Sequence, residues 1–158
     1  SPVLGPPNPP AAPPRLAGFL PILMDTGGNS GSQACVSIIR GISLNEIEFR
    51  DLGRVVWKEI RVSVLCGVCL AVACFAKIIV IDMLLLKSES VTYLVAFVVC
   101  ATMAVTVCLA KIVGSTLPLL AKKIGFDPAV MASPFLTTIV DPPSPLIYFR
   151  FASFLLGI

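Results

Sequence analysis

The chain has 158 residues, of which 56% are hydrophobic and 13% are charged, with a formal net charge of +3 and a mean hydropathy of +0.94. Soluble domains carry about a quarter charged residues, so this composition predicts a membrane protein. The small net charge gives no reason to expect nucleic-acid binding. Because the sequence has no histidine, it excludes Ser-His-Asp and Cys-His catalysis and any imidazole metal ligand.

Residues 1–15 are crowded with proline, a composition typical of an extended, semi-rigid linker. We therefore expect a linker or appended segment at 1–15 and a transmembrane domain at 16–158. The first residues lack the basic and apolar regions of a signal peptide. They also lack an initiator methionine, so we expect a piece of a longer chain.

Four segments are long enough to span a bilayer, which takes roughly 20 mainly apolar residues. Residues 62–81 and 91–110 are apolar and predict plain helices, whereas 16–39 and 128–158 carry polar residues in their middle. The polar segments should be helical too, or broken where they line a cavity. The sequence thus predicts an all-α, polytopic membrane protein with about four transmembrane helices.

Lysine and arginine predict the orientation of these spans. The connection at 40–61 holds five basic residues, the connection at 82–90 holds only Lys87, and Lys122 and Lys123 precede the last span, with Lys111 nearby. By the positive-inside rule, the first and third connections face the cytoplasm and both chain ends face outward.

The first connection also predicts a helix of its own. Residues 43–46, with the sequence SLNE, match a capping box, and an apolar stripe and a basic stripe follow at helical spacing. Such a helix either lies on anionic headgroups at the cytoplasmic interface or packs as an ordinary cytoplasmic helix. The six cysteines all lie in apolar runs, so we interpret them as small packing residues.

Asp141 is the first candidate for chemistry, because an ionisable residue inside a span is expensive to bury and is by default a functional-site hypothesis. It lies fourteen residues after Asp127, or roughly 20 Å along a helix. A cation site is favoured over a protonated or hydrogen-bonded structural aspartate. Asp127, which precedes Pro128, either only caps the last helix or lies at a pore mouth beneath Asp141.

The first span carries polar side chains at helical spacing on one side. They are Asp25, Asn29, Ser32 and Gln33. Gly27 and Gly31 form a G-x-x-x-G step that permits close helix approach. The polar residues are either packing contacts or one wall of an ion path, and the number of oxygen donors favours the ion path. Oxygen ligands suit hard cations such as Mg²⁺, Ca²⁺ and Mn²⁺.

Two stretches resemble helices of the MgtE family of magnesium transporters. Residues 21–33, PILMDTGGNSGSQ, followed by RG at 40–41, resemble the family's second transmembrane helix. Residues 127–141, DPAVMASPFLTTIVD, followed by IYF at 147–149, resemble the fifth. The resemblance covers the chain from about Phe19 to its C-terminus.

The resemblance implies a transporter or channel, not an enzyme, that moves hydrated Mg²⁺ into the cytoplasm through a pore at a homodimer interface. Mn²⁺ and Co²⁺ are further candidate ions. The implied surroundings are membrane lipid in a bacterial inner membrane, with no organic cofactor and no nucleic acid. Asp141 and Asp127 become the expected metal ligands. The expected pore-lining residues are Asp25, Asn29, Ser32, Gln33, Ser133, Thr137 and Thr138.

The sequence departs from the family in two ways. The family's first span and its cytoplasmic N-terminal and CBS domains have no recognisable counterpart, so we expect an ungated remnant, a piece of a longer protein, or a subunit regulated elsewhere. Pro142, Pro143 and Pro145 follow Asp141 where we expect a continuous helix. They either break the helix so that freed carbonyls help to hold a cation, or they damage the pore.

Two other functions stay open at this point. The first is a membrane module whose polar spans serve assembly and not transport. The second is an intramembrane aspartyl protease that pairs Asp25 with Asp141, although the sequence has neither a Tyr-Asp nor a Gly-x-Gly-Asp motif.

Overall fold

The computed structural model describes residues 14–85, 87, 92–131 and 133–157, and the regular structure in that part of the chain is helical. Its helices are α1 (Pro14–Ala17), α2 (Leu20–Ser43), α3 (Leu52–Lys77), α4 (Tyr93–Ile124), α5 (Ser133–Val140) and α6 (Pro143–Leu156). A 3-10 turn at Phe49–Asp51 precedes α3, a π-helical segment at Ile78–Leu85 continues it, and a 3-10 turn at Pro128–Met131 precedes α5. The predicted all-α fold class is confirmed, while the prolines of residues 1–13 lie outside the described residues.

Glycines place α2 against α4. A Cβ added to Gly27 would lie 2.7 Å from Thr106 Cγ2, and one added to Gly31 would lie 2.9 Å from the carbonyl oxygen of Ala110. Residue numbers therefore rise together along the two helices, which run parallel with their backbones close. This is the close approach that the G-x-x-x-G step predicts.

Helices α3 and α5 run antiparallel to α4 and α2, respectively. Gly67 of α3 packs against Ala104 of α4, while a Cβ on Gly28 of α2 would lie 3.1 Å from Thr137 of α5. With Gly27 facing Val140, residue numbers fall along α5 as they rise along α2. The spans thus alternate in direction, so the start of α2 and the end of α6 lie on the same side of the bundle.

Within the described residues, two helices are long and apolar enough to cross a membrane by themselves, Phe49–Asp82 and Tyr93–Ile124. The outer face of α3 leaves large apolar side chains exposed, among them Leu65 at 67% and Val72 at 65%, as suits a lipid-facing surface. The first span, α2, is long but polar at its centre, and the last is divided into α5 and α6.

The predicted separate helix of the first connection is wrong in its boundaries. Helix α2 continues through Ser43, whose hydroxyl donates to the carbonyl of Ile39 at 2.9 Å, so Ser43 does not cap a new helix. The capping box forms instead between Glu48 and Asp51, where the Glu48 N–H donates to Asp51 Oδ2 at 3.0 Å. From there α3 runs without a break into the apolar span.

The last span is broken in its middle. Helix α5 ends at Val140, Asp141 and Pro142 form a turn, and α6 begins at Pro143. Proline has no N–H to donate and its ring clashes with the preceding turn of a helix. The helix is thus discontinuous at the prolines, and α6 buries Tyr148 and Ala152 in the bundle. Both interpretations of the prolines, a contribution to a cation site and damage to the pore, stay open.

Candidate functional site

Asp141 lies at the break, halfway along the last span and beside the middle of α2. Its N–H still donates to the Thr137 carbonyl at 2.8 Å, so the break begins immediately after it. One carboxylate oxygen lies 3.7 Å from the position that a Cβ on Gly28 would occupy. The glycine face of α2 thus allows the Asp141 side chain to lie against this helix.

The prolines leave backbone carbonyl oxygens without their helical N–H donors at this point. In an α-helix the carbonyl of residue i accepts from the N–H of residue i+4. Pro142, Pro143 and Pro145 have no such N–H, so the carbonyls of Thr138, Ile139 and Asp141 lose their helical donors. These carbonyls belong to Asp141 and to residues two and three positions before it, and carbonyl and carboxylate oxygens are both donor atoms that hard cations prefer.

Two hydroxyls precede the break on α5. Thr137 and Thr138 both donate to the Pro134 carbonyl, at 3.1 and 2.8 Å. A hydroxyl that donates its proton to the backbone keeps its lone pairs as acceptors. Both residues can therefore face a cation or its water with an oxygen. Ser133 begins α5, but its side chain lies outside the described part of the structure.

The polar side of α2 lies away from its glycine side. Asp25, Asn29 and Gln33 are exposed and Ser32 is half-buried, whereas Gly27, Gly28 and Gly31 are buried. The Asn29 amide donates to Asp25 Oδ2 at 3.1 Å, which holds that carboxylate along the helix surface. These side chains are thus not used as packing contacts within one copy of the chain.

Two of the predicted site residues come together against α2. Thr137 and Asp141 both lie against the position of a Cβ on Gly28. Asn29 follows Gly28 in the chain, and Asp25 lies about one helical turn before it.

Asp127 has a local structural role before α5. It is exposed, and its Oδ1 accepts from the Ala129 N–H at 3.0 Å, so it caps the 3-10 turn at Pro128–Met131. Residues 127–141 do not form one continuous helix. The capping alternative thus describes the local contact of Asp127, while its place at a pore mouth beneath Asp141 stays a prediction.

A groove of about 430 Å³ extends the polar surface of α2 toward α3 and α4. Its lining residues are Asp25, Thr26, Asn29, Ser30, Gln33, Cys66, Cys69, Leu70 and Lys111. Six of these were not predicted as site residues, and they include Cys66, Cys69 and Lys111. Cys66 and Cys69 were interpreted as packing residues, and Lys111 was counted with the connection before the last span.

The position of Lys111 has a simple cause. Helix α4 is 32 residues long and ends at Ile124, well beyond residue 110 where the sequence places the end of the span. Lys111 is consequently inside the helix and only 8% exposed. The apolar residues that continue from Ile112 to Ala121 are the feature that could have shown this.

All six cysteines are free, and Cys35, Cys74 and Cys100 are buried as the packing interpretation predicts. Among the residues that the structure describes, no three carboxylate or thiol side chains converge on a point where they could hold a metal ion. The candidate residues combine carboxylates with hydroxyl and carbonyl oxygens.

A family model and several similar proteins identify the same family. A family model described as "Divalent cation transporter", MgtE, matches residues 20–151. The chain is 34% identical over 141 residues to "Magnesium transporter MgtE" of Thermus thermophilus, covering 89% of this chain and 29% of that protein. It is 32% identical to the protein of the same name from Enterococcus faecalis, over 87% of this chain and 29% of that protein.

A third relative with this name, from Bacillus subtilis, is 30% identical over 87% of this chain. The chain spans only 29% of the length of each of these relatives. The family match nevertheless runs from the start of α2 into α6, and the family's members are transporters and not enzymes. On this match, which confirms the resemblance in the sequence, the chain belongs to the MgtE family of divalent cation transporters.

Proposed function

We propose that this chain is the pore-forming part of a Mg²⁺ transporter or channel, in which Asp141 is the central cation-binding residue. The observation that carries the proposal is the position of Asp141. It lies at the break of the last span and against Gly28 of α2, the helix that carries the exposed Asp25–Asn29 pair.

The donor atoms suit a hydrated divalent cation. Mg²⁺ dehydrates reluctantly and is usually held through one or two carboxylates and several waters. Asp141 and Asp25 supply the carboxylates in this proposal, while Thr137, Thr138 and the freed carbonyls accept hydrogen bonds from the ion's water. Mn²⁺ and Co²⁺ share this coordination chemistry, and we propose them as further transported ions.

A second copy of the chain would complete the pathway. Polar side chains of a membrane helix rarely face lipid, because they lose their hydrogen bonds to water there. In a single copy, Asp25, Asn29 and Gln33 are exposed. We propose that two copies bring these faces together around one pore and so cover them with protein and water.

Mg²⁺ would move inward down the membrane potential. A divalent ion gains about 4.6 kcal/mol on crossing 100 mV, twice the value for one elementary charge. The predicted orientation places Asp127, at the turn before α5, near the cytoplasmic mouth, where an exposed carboxylate can attract cations without a dedicated site.

The test is Mg²⁺ uptake into liposomes that carry the chain, measured with an internal Mg²⁺-sensitive dye and an imposed potassium-diffusion potential. We expect Asp141→Ala to abolish uptake and to leave the protein folded. Glu46→Gln is the matched control, because Glu46 is an exposed carboxylate in the connection after α2.

Either result decides the proposal. Uptake by the unmodified chain that persists in Asp141→Ala would reject Asp141 as the central residue. Lack of uptake by the unmodified chain at a potential that drives a known channel would reject transport by this chain alone and favour a module that serves assembly.

A further inference from the structure

A buried ion pair joins α3 to α4 next to the groove. Lys111 Nζ and Glu59 Oε2 are 3.9 Å apart, and the two side chains are only 10% and 8% exposed. The separation is longer than a hydrogen bond. The charges attract each other, but the pair is not locked in a direct hydrogen bond.

Such a pair is costly within a membrane domain. Taking two charges out of water costs more than a loose ion pair returns, so a buried ion pair is weak evidence for stability. Helices α3 and α4 already pack closely elsewhere, where Gly67 lies against Ala104. The pair therefore invites a functional explanation.

Lys111 also faces the candidate pathway. It lines the groove together with Asp25, Asn29 and Gln33. Since Gly31 of α2 packs at Ala110 of α4, Lys111 lies at the level of residues 30–32, about one helical turn from Asn29. A lysine ammonium on a flexible stem at this level acts on any cation in the groove.

We propose that Lys111 is a tethered counter-cation that sets how tightly the pathway holds a divalent ion, and that Glu59 restrains it. The inference rests on the proposed function and names a regulating pair for the same site. While Glu59 balances the ammonium, the groove keeps the negative field of Asp25. When that balance is weakened, the ammonium competes with the divalent ion for the Asp25 carboxylate.

The proposal predicts opposite effects for the two partners. Glu59→Gln leaves the positive charge unbalanced beside the groove, so it should weaken binding of a divalent ion. Lys111→Gln leaves the Glu59 carboxylate in its place, so it should strengthen binding. The double substitution removes both charges and leaves two amides that can hydrogen-bond to each other, so its affinity should return toward that of the unmodified chain.

The experiment measures Mn²⁺ binding to the chain in lipid nanodiscs, from the loss of the free Mn²⁺ electron paramagnetic resonance signal. We expect a change of roughly tenfold in dissociation constant in each direction, as for one added or removed charge about 10 Å from a divalent ion in a partly solvated site. Lys77→Gln combined with Asp82→Asn is the control, since it removes another ion pair, 2.7 Å long, from the far end of the same helix.

A purely structural pair gives a different pattern. Both single variants would then lose thermal stability, and the folded fraction of each would bind Mn²⁺ with unchanged affinity, which overturns the proposal. If one single variant does not fold, the direction of change in the other still decides. Absence of Mn²⁺ binding by the unmodified chain also overturns it, whereas loss of uptake in Asp141→Ala tests the transport function separately.

Discussion

Gly31 and Gly114 meet backbone to backbone, so that a Cβ on Gly114 would fall on the carbonyl group of Gly31. A residue larger than glycine at this crossing would separate α2 from α4. Because α2 carries Asp25 and Asn29 on its other side, this contact fixes where those two side chains lie relative to α4.

Gly114→Ala should therefore destabilise the bundle. The added methyl group has no space and meets rigid backbone, so we expect a loss of about 1–3 kcal/mol, as for overpacked cores. Gly53→Ala is the matched control, because nothing lies within 4 Å of its Cβ position in α3. There the substitution should stabilise the helix by up to about 1 kcal/mol, since alanine has a higher helix propensity than glycine. Thermal unfolding in detergent compares them, and equal melting temperatures would contradict the assigned contact.

Hydrophobic length and the glycine spacing were enough to predict the helical class and the close approach of α2 at Gly27 and Gly31. These features are local, since they depend on residues a few positions apart on one helix. Asp141 was predicted from its position as an ionisable residue inside a span, and the family motifs supported it. Its approach to Gly28 then follows from the direction of α5 along α2.

Other features depend on where helices end, and the sequence predicted those less well. Lys111 was misplaced because a span needs only about 20 residues while α4 continues to Ile124. For Asp127 the sequence left open a cap and a place at a pore mouth, and the capping contact is the one that the structure shows. The groove is lined by residues that are far apart in the sequence, on three helices. No local sequence pattern therefore predicts the approach of Lys111 to Glu59.

The proposed second copy predicts cross-linking on the polar side of α2. Val36 is 59% exposed and lies seven residues, or about two turns, beyond Asn29 on the same side of the helix. In a background with all six native cysteines replaced by serine or alanine, Val36→Cys should give disulfide-linked dimers on oxidation with copper phenanthroline.

Val72→Cys provides the comparison for this cross-link. Val72 is exposed to a similar extent, 65%, but lies on the outer face of α3, which we assign to lipid. Denaturing gels without reductant should show dimers for Val36→Cys and monomers for Val72→Cys. Equal cross-linking at both positions would indicate random collision and remove the support for a pore between two copies.

The prolines after Asp141 should trade stability for cation binding. Replacing Pro142, Pro143 and Pro145 together by alanine restores three N–H donors, so the carbonyls of residues 138, 139 and 141 can return to helical hydrogen bonds. Since a proline inside a helix costs about 3 kcal/mol, the variant should melt at a higher temperature.

Its Mg²⁺ uptake should nevertheless fall about tenfold, since a lost hydrogen bond to a charged group is worth about 1.5 kcal/mol or more. Pro21→Ala is the control, because Pro21 lies in the first turn of α2, where proline has little cost. A triple variant with full uptake would show that the freed carbonyls contribute nothing to the pathway.

Asn29 should act through Asp25. Its amide donates to Asp25 Oδ2 at 3.1 Å, and this bond holds the carboxylate beside the pathway while leaving its other oxygen available to the ion. Asn29→Ala removes the donor, so we expect the Mg²⁺ concentration for half-maximal uptake to rise about five- to tenfold, again from one hydrogen bond to a charged group. The maximal rate should change less, because Asp141 is intact.

Ser37→Ala is the comparison two turns further along α2, since the Ser37 hydroxyl donates only to the Gln33 carbonyl of its own helix, at 3.0 Å. Initial uptake rates over a range of Mg²⁺ concentrations separate the two effects, and an Asn29→Ala curve that coincides with the Ser37→Ala curve would leave Asp25 without a role in binding the ion.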